Sequence, residues 1–196
     1  RKMCSQFELN TRPEDLTRCF DLDGVPDKFS QGAIRPTNHT ICVGPHGSFI
    51  NRWGLNVDWD SKPLINARAE TLNKKRTFQP LLNSRCLVPA SAYFEWRRDG
   101  KARFKNRITI PNLPLFAFAG LTDGANVTII TCQPVPSIAQ IHTRMPVILS
   151  SNDQKAWING ERDYRDVANM VLPRLDLELA ADEETPSPSR QGDLFD

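Results

Sequence analysis

No two cysteines in this chain stand two residues apart. The five cysteines, at 4, 19, 42, 86 and 132, are irregularly spaced. That spacing offers neither a zinc-ligand set nor a disulfide framework. Long apolar runs are missing too. No stretch approaches the roughly 20 apolar residues of a membrane-spanning helix, and no charged-then-apolar leader is seen. A cytoplasmic protein without membrane contact is the expectation. Histidine is scarce, with three residues at 39, 46 and 142. His39 and His46 lie in polar, turn-rich sequence and read as surface residues. His142 is then the imidazole available for proton transfer near neutral pH.

What is present suits one domain. The chain has 196 residues, enough for an adequate core. Cys42, Cys86 and Cys132 lie in apolar surroundings and read as small buried hydrophobes. Charge is unevenly spread. Residues 181–196 carry five acids against Arg190 alone, a net −4, so residues 1–180 hold +6 of a chain whose total is +2. A mildly basic body with an acidic tail fits an anionic partner. The expected division is a folded domain over 1–180 and a disordered acidic tail over 181–196.

Along the chain, turn residues separate short strand-like runs. Thr11-Arg12-Pro13-Glu14 reads as a capping box opening a helix to about Phe20. A strand is expected near Thr40–Val43. Residues 64–71 alternate, with Ile65, Ala67 and Ala69 on one face and Asn66, Arg68 and Glu70 on the other. Ala92–Arg98 and Lys101–Ile108 flank Asp99-Gly100, a two-residue hairpin signal. Leu115–Leu121, Asn126–Cys132 and Pro146–Leu149 read as further strands, with Asp123-Gly124 as a turn. Ser150 or Ser151 caps a helix through Trp157, and a last helix spans about Tyr164 to Val171. The fold class is therefore α+β, a curved and mainly antiparallel sheet with peripheral helices.

Four segments carry chemistry together: Met3-Cys4-Ser5-Gln6-Phe7, Asn66-Ala67-Arg68-Ala69-Glu70, Phe94-Glu95-Trp96 and Ile141-His142-Thr143-Arg144-Met145-Pro146. In this order they closely resemble the SRAP family of abasic-site processing proteins, over roughly residues 3–150. The resemblance implies a barrel-like fold that crosslinks itself to abasic sites in single-stranded DNA through an N-terminal cysteine. A terminal cysteine offers an amine and a thiol on adjacent carbons. The amine forms an imine with an aldehyde, and the thiol closes it to a thiazolidine. That chemistry needs a free α-amine on Cys4, and Arg1-Lys2-Met3 stand before it here.

By the same resemblance, His142 opens the sugar, Asn66 positions it and Glu95 moves protons. A carboxylate between Phe94 and Trp96 is either solvated or buried and acid–base active. Arg68 and Arg144 are expected to hold phosphates. Pro36, Trp53 and Trp59 resemble the family's base-stacking wedge. Gln6 stands where the family often has arginine, and Asp58-Trp59 where it often has two tryptophans. Arg97, Arg98, Lys101, Arg103, Lys105 and Arg107 make a basic hairpin beside Glu95. No metal or organic cofactor is required, and the protein is expected to act as a monomer.

The end of the chain, Gln191-Gly192-Asp193-Leu194-Phe195, resembles a bacterial sliding-clamp-binding pentapeptide with Gln191, Leu194 and Phe195 as anchors. Two rival classes stand beside the crosslinking reading. One is a cysteine amidohydrolase or self-processing peptidase with Cys4 as nucleophile and His142 as base. The other is a non-catalytic DNA-binding adaptor tethered to the clamp.

Overall fold

Short runs of Val, Ile, Phe and Thr fit a pleated, half-buried surface, and the Gly, Asn and Asp between them favour turns. In the computed structural model, which describes residues 4–174 and 176–184, these runs close a barrel. Strands Asn126–Cys132, Gly47–Trp53, His39–Gly44, Arg85–Ala90 and Phe116–Thr122 hydrogen-bond in a ring, the last returning to the first. A second, antiparallel sheet of five strands runs in the order Ala180–Glu183, Ala102–Thr109, Ala92–Asp99, Phe7–Leu9, Gly32–Ile34. The expected α+β class holds, with helices Pro13–Phe20, Pro136–Ala139, Ser151–Ile158 and Tyr164–Val167 at the periphery. Two pairings in the barrel sheet are parallel: Asn126–Cys132 takes Gly47–Trp53 and Asn66–Arg68 as neighbours.

The core lies where the barrel meets the second sheet. Phe7 packs edge-on against Trp53, with ring centroids 5.0 Å apart, and against Phe118 at 5.7 Å. Tyr93 joins Phe118 at 6.1 Å. Such edge-to-face pairs add about 0.5–1.5 kcal/mol each beyond the area they bury. Cys42, Cys86 and Cys132 are buried as expected. Arg85 is buried as well and donates to the carbonyls of Trp157, Asn159 and Arg162. It thereby satisfies acceptors left open where helix Ser151–Ile158 ends. At the other end of that helix, Ser150 accepts from the Asp153 amide, as its sequence position suggests.

Four local expectations change. The helix at Pro13 has no capping box: Arg12 is its N-cap, and the Thr11 hydroxyl bonds the Arg12 carbonyl instead. Proline at the first helical position has no amide to cap, and its fixed φ already starts the helix. The alternation of residues 64–71 stops at Arg68, and Ala69–Lys74 forms a 3-10 helix, so Glu70 leaves the strand. The hairpin loop is Gly100-Lys101, with Asp99 still paired to Ala102. Gly100 takes the first central position at φ 55°, where a two-residue loop needs glycine. Finally, the boundary drawn at 180 falls inside strand Ala180–Glu183. The acids that read as a solvated tail face the basic hairpin instead: Glu183 lies 2.8 Å from Arg97, and Glu184 lies 2.8 Å from Lys105. Residues 185–196, with Gln191, Leu194 and Phe195, the anchors expected to bind a clamp, lie outside the described residues, as do Arg1-Lys2-Met3.

Candidate active site

Strand pairing delivers Cys4 to Glu95. Phe7–Leu9 lies antiparallel to Ala92–Asp99, with Phe7 opposite Tyr93, and the Phe94 amide donates to the Gln6 carbonyl. Continued toward the N-terminus, that register sets the Cys4 backbone nitrogen 2.8 Å from Glu95 Oε1. The third partner comes from the parallel strand Asn66–Arg68, where Asn66 Nδ2 donates to the Cys4 carbonyl at 3.2 Å. His142 follows the short helix Pro136–Ala139, with its amide bonded to the Ile138 carbonyl. Its Nδ1 lies 3.9 Å from Glu95 Oε1. The same nitrogen is 3.2 Å from both the amide and the carbonyl of Arg144, so its tautomer selects which of the two it bonds.

Thus Cys4, Asn66, Glu95 and His142, from four separate segments, meet at one point. The sequence reading placed all four in the site. Glu95 is the buried acid of the two alternatives, at 2% exposure. Burial raises its carboxyl from 4.5 to about 7, opposed by the hydrogen bonds from the backbone amides of Cys4 and Trp96. A carboxyl near 7 can both give and take a proton at neutral pH. Burial, reinforced by the Glu95 charge, also holds the Cys4 thiol well above the ordinary range. The sulfur therefore carries its proton.

The two arginines differ. Arg68 is exposed and makes no ion pair among the described residues. Arg144 is largely covered and engaged: its Nη2 donates to Glu70 at 2.9 Å and to the Thr131 carbonyl at 2.6 Å. Glu70 accordingly pairs with Arg144 rather than with its near neighbour Arg68, and its carboxyl is lowered mainly by that bond. The stacking wedge is also divided. Trp59 is 67% exposed at the tip between strands Leu55–Val57 and Asp60–Leu64. Pro36 is half-buried in a turn whose next residue, Thr37, donates to the Trp53 carbonyl at 2.8 Å. Trp53 itself is withdrawn from any stacking surface. It is fully buried, and its Nε1 donates to the Ile65 carbonyl at 2.9 Å. A large ring beside Gly54 reads equally as wedge or core, and packing against Phe7 decides for core. Gly54 is needed there, because its φ is 124° and a Cβ would lie 2.8 Å from Pro63.

Sequence reasoning missed two buried polar neighbours. Asn106 faces Glu95 directly across the hairpin. The expected Asp99-Gly100 loop would have put Phe104 there, so the one-residue shift of the turn hid the pair. Tyr93 is fully buried, and its hydroxyl has no hydrogen-bond partner among the described residues. Burial is the main cause that raises its pKa. The signal for it was the shared parity of 93 and 95 on one strand.

A cavity of about 490 Å³ adjoins Glu95 and His142. No helix among the described residues is long and apolar enough to cross a membrane.

The family model described as SOS response associated peptidase (SRAP) matches residues 3–183. Among similar proteins, "Abasic site processing protein YoqW" of Bacillus subtilis (strain 168) is 34% identical over 199 residues, covering 90% of this chain and 89% of that one. "Abasic site processing protein YedK" of Escherichia coli (strain K12) is 26% identical over 189 residues, covering 86% and 85%. The crystal structure of a protein from Bacteroides thetaiotaomicron superposes with a TM-score of 0.81 at 21% identity, covering 93% of each chain.

Proposed function

We propose that this chain, which belongs to the SOS response associated peptidase (SRAP) family, processes abasic sites in single-stranded DNA by bonding them covalently to Cys4. The observation that carries the proposal is the 2.8 Å contact between the Cys4 nitrogen and Glu95 Oε1. It puts a buried carboxyl, able to carry a proton, on the nitrogen that must attack once it is free.

The reaction starts when His142 gives a proton to the ring oxygen of the abasic deoxyribose and takes one from the C1′ hydroxyl, so that the bond from C1′ to the ring oxygen breaks and the aldehyde forms. The Cys4 amine adds to C1′, Glu95 moves the amine proton to the departing oxygen, and water leaves to form the imine. The Cys4 thiol then adds to the imine carbon and its proton passes to the nitrogen. A carbon–sulfur bond forms, and the product is aldehyde plus protein less one water. A buried, protonated thiol suits that last step. Asn66, on the Cys4 carbonyl, holds the nucleophile in register. No step needs a metal or an organic cofactor.

A free amine requires hydrolysis of the Met3–Cys4 bond, one water entering to leave a carboxylate on Met3 and the amine on Cys4. Glu95 stands where it can protonate that departing nitrogen. The same contact therefore supports a self-processing peptidase step ahead of DNA chemistry. Clamp tethering through Gln191, Leu194 and Phe195 is the further role proposed for the end of the chain.

The test mixes protein beginning at Cys4 with single-stranded DNA bearing one abasic site, and with the same DNA undamaged. A denaturation-resistant adduct of summed mass less one water is expected with the abasic strand alone. Equal adduct with both strands, or none with either, sinks the proposal. Phosphate contacts are tested separately. Arg68→Ala should weaken single-strand binding and make the log–log salt dependence shallower by about 0.7, one contact's worth. Arg144→Ala should change that slope less, because Glu70 already holds its guanidinium. A larger slope change for Arg144→Ala than for Arg68→Ala would reverse the assignment.

A further inference from the structure

We infer that the cavity beside Glu95 and His142 is a subsite for one nucleotide next to the abasic sugar, its phosphate gripped by Arg98 and Arg103. The inference rests on the reading of the site as one that takes single-stranded DNA.

The basic hairpin is not uniformly solvated charge. Arg97 is matched by Glu183, Lys105 by Glu184 and Arg107 by Glu8. Arg98 and Arg103 have no such partner among the described residues, yet they stand directly opposite each other across the two strands. Like charges in that register repel. An anion between them removes the repulsion and accepts from both guanidinium forks. The two arginines line the cavity with Trp96, Gln140, Glu95 and His142, and the Arg103 guanidinium lies 5.7 Å from the centre of the Trp96 ring. Glu95 is the one carboxylate of the lining among the described residues, and it is set at the end nearest Cys4.

Size and chemistry select the occupant. About 490 Å³ falls within the range of pockets that hold a ligand of one nucleotide's size. The abasic sugar must lie at the Cys4 nitrogen, at the Glu95–His142 end, so the part of the space toward Arg98 and Arg103 belongs to a neighbour. An aromatic wall with an arginine stacked on it accepts any base, which suits a damage site in arbitrary sequence.

The experiment uses single-stranded DNA carrying a tetrahydrofuran abasic analogue. The analogue has no aldehyde, so binding is read without crosslinking. A neutral methylphosphonate replaces each phosphate flanking the analogue in turn. With the parent protein, neutralising one flanking linkage should weaken binding by about fivefold to tenfold. Arg98→Gln with Arg103→Gln should weaken binding to the normal strand by a similar factor and be indifferent to that linkage. Arg18→Ala with Arg165→Ala removes the same charge from exposed positions elsewhere and should keep the parent's pattern. The inference is overturned if no flanking linkage matters to the parent, if the Arg98/Arg103 variant keeps the parent's sensitivity, or if the control loses as much. Failure of the covalent reaction leaves these readings intact, so the two proposals fail separately.

Discussion

Glu95→Gln is expected to raise the melting temperature above pH 7 and to slow adduct formation by roughly 10²–10⁴-fold, the usual contribution of a placed acid–base group. Burial lifts the Glu95 carboxyl from 4.5 to about 7. The folded state therefore favours the protonated acid. Stability from this group is complete below about pH 4.5 and falls as pH rises through about 7. A tenfold change in an ionisation constant is worth about 1.4 kcal/mol, so the ionised carboxylate costs the native state about 3 kcal/mol at pH 8. Glutamine has the same shape and never ionises, so the variant escapes that cost. For a chain of this size the gain should be roughly 6–12 °C at pH 8, with little difference at pH 4. Calorimetry of both proteins from pH 4 to 9 checks it. Parallel curves across the whole range would mean that Glu95 is not held protonated by its surroundings. A free α-ammonium on Cys4 at the same 2.8 Å would lower the Glu95 pKa, so the processed protein should show its step at lower pH. A loss of rate joined to a gain of stability would mark Glu95 as a group retained for chemistry.

The sequence was informative where local pattern and motif agreed. Strand-like runs and turn residues marked three of the five barrel strands and the hairpin, because these depend on neighbours a few residues apart, whereas Gly47–Trp53 and Arg85–Ala90 were not read from the sequence. Cys4, Asn66, Glu95 and His142 were proposed from their motifs, and the structure brings them together, the first three through strand pairing and His142 from the turn after helix Pro136–Ala139. What sequence could not show depends on contacts distant along the chain. Trp53 as a core ring needs Phe7 and the Ile65 carbonyl. Arg144 engaged with Glu70 needs a pairing across 74 residues. That Arg98 and Arg103 have no ion-pair partner among the described residues emerges only once strand Ala180–Glu183 has brought Glu183 and Glu184 to other members of the hairpin. Charge counting alone treated all six basic residues alike.

Blocking the Cys4 amine should have a larger effect than any change in the surrounding pocket. Three proteins separate the two nucleophiles. The chain beginning at Cys4 should give an adduct with abasic DNA that survives heating and denaturant. The same chain with Cys4→Ser keeps the amine and loses the sulfur. It should form an imine that falls apart on heating and survives only when reduced with borohydride, because no thiol closes the ring. The chain that retains Arg1-Lys2-Met3 has an amide at Cys4, and an amide nitrogen does not condense with an aldehyde. It should give neither product, apart from a reversible thiol addition lost on denaturation. The burial that keeps the Cys4 thiol protonated makes even that addition slow at neutral pH. Intact mass before and after incubation shows whether the extension is removed during the assay. An adduct that appears only as the Arg1-Lys2-Met3 mass disappears would tie self-processing to DNA chemistry through Glu95. A durable adduct on protein that still carries all three residues would move the nucleophile away from the Cys4 nitrogen, and the 2.8 Å contact with Glu95 would then be structural.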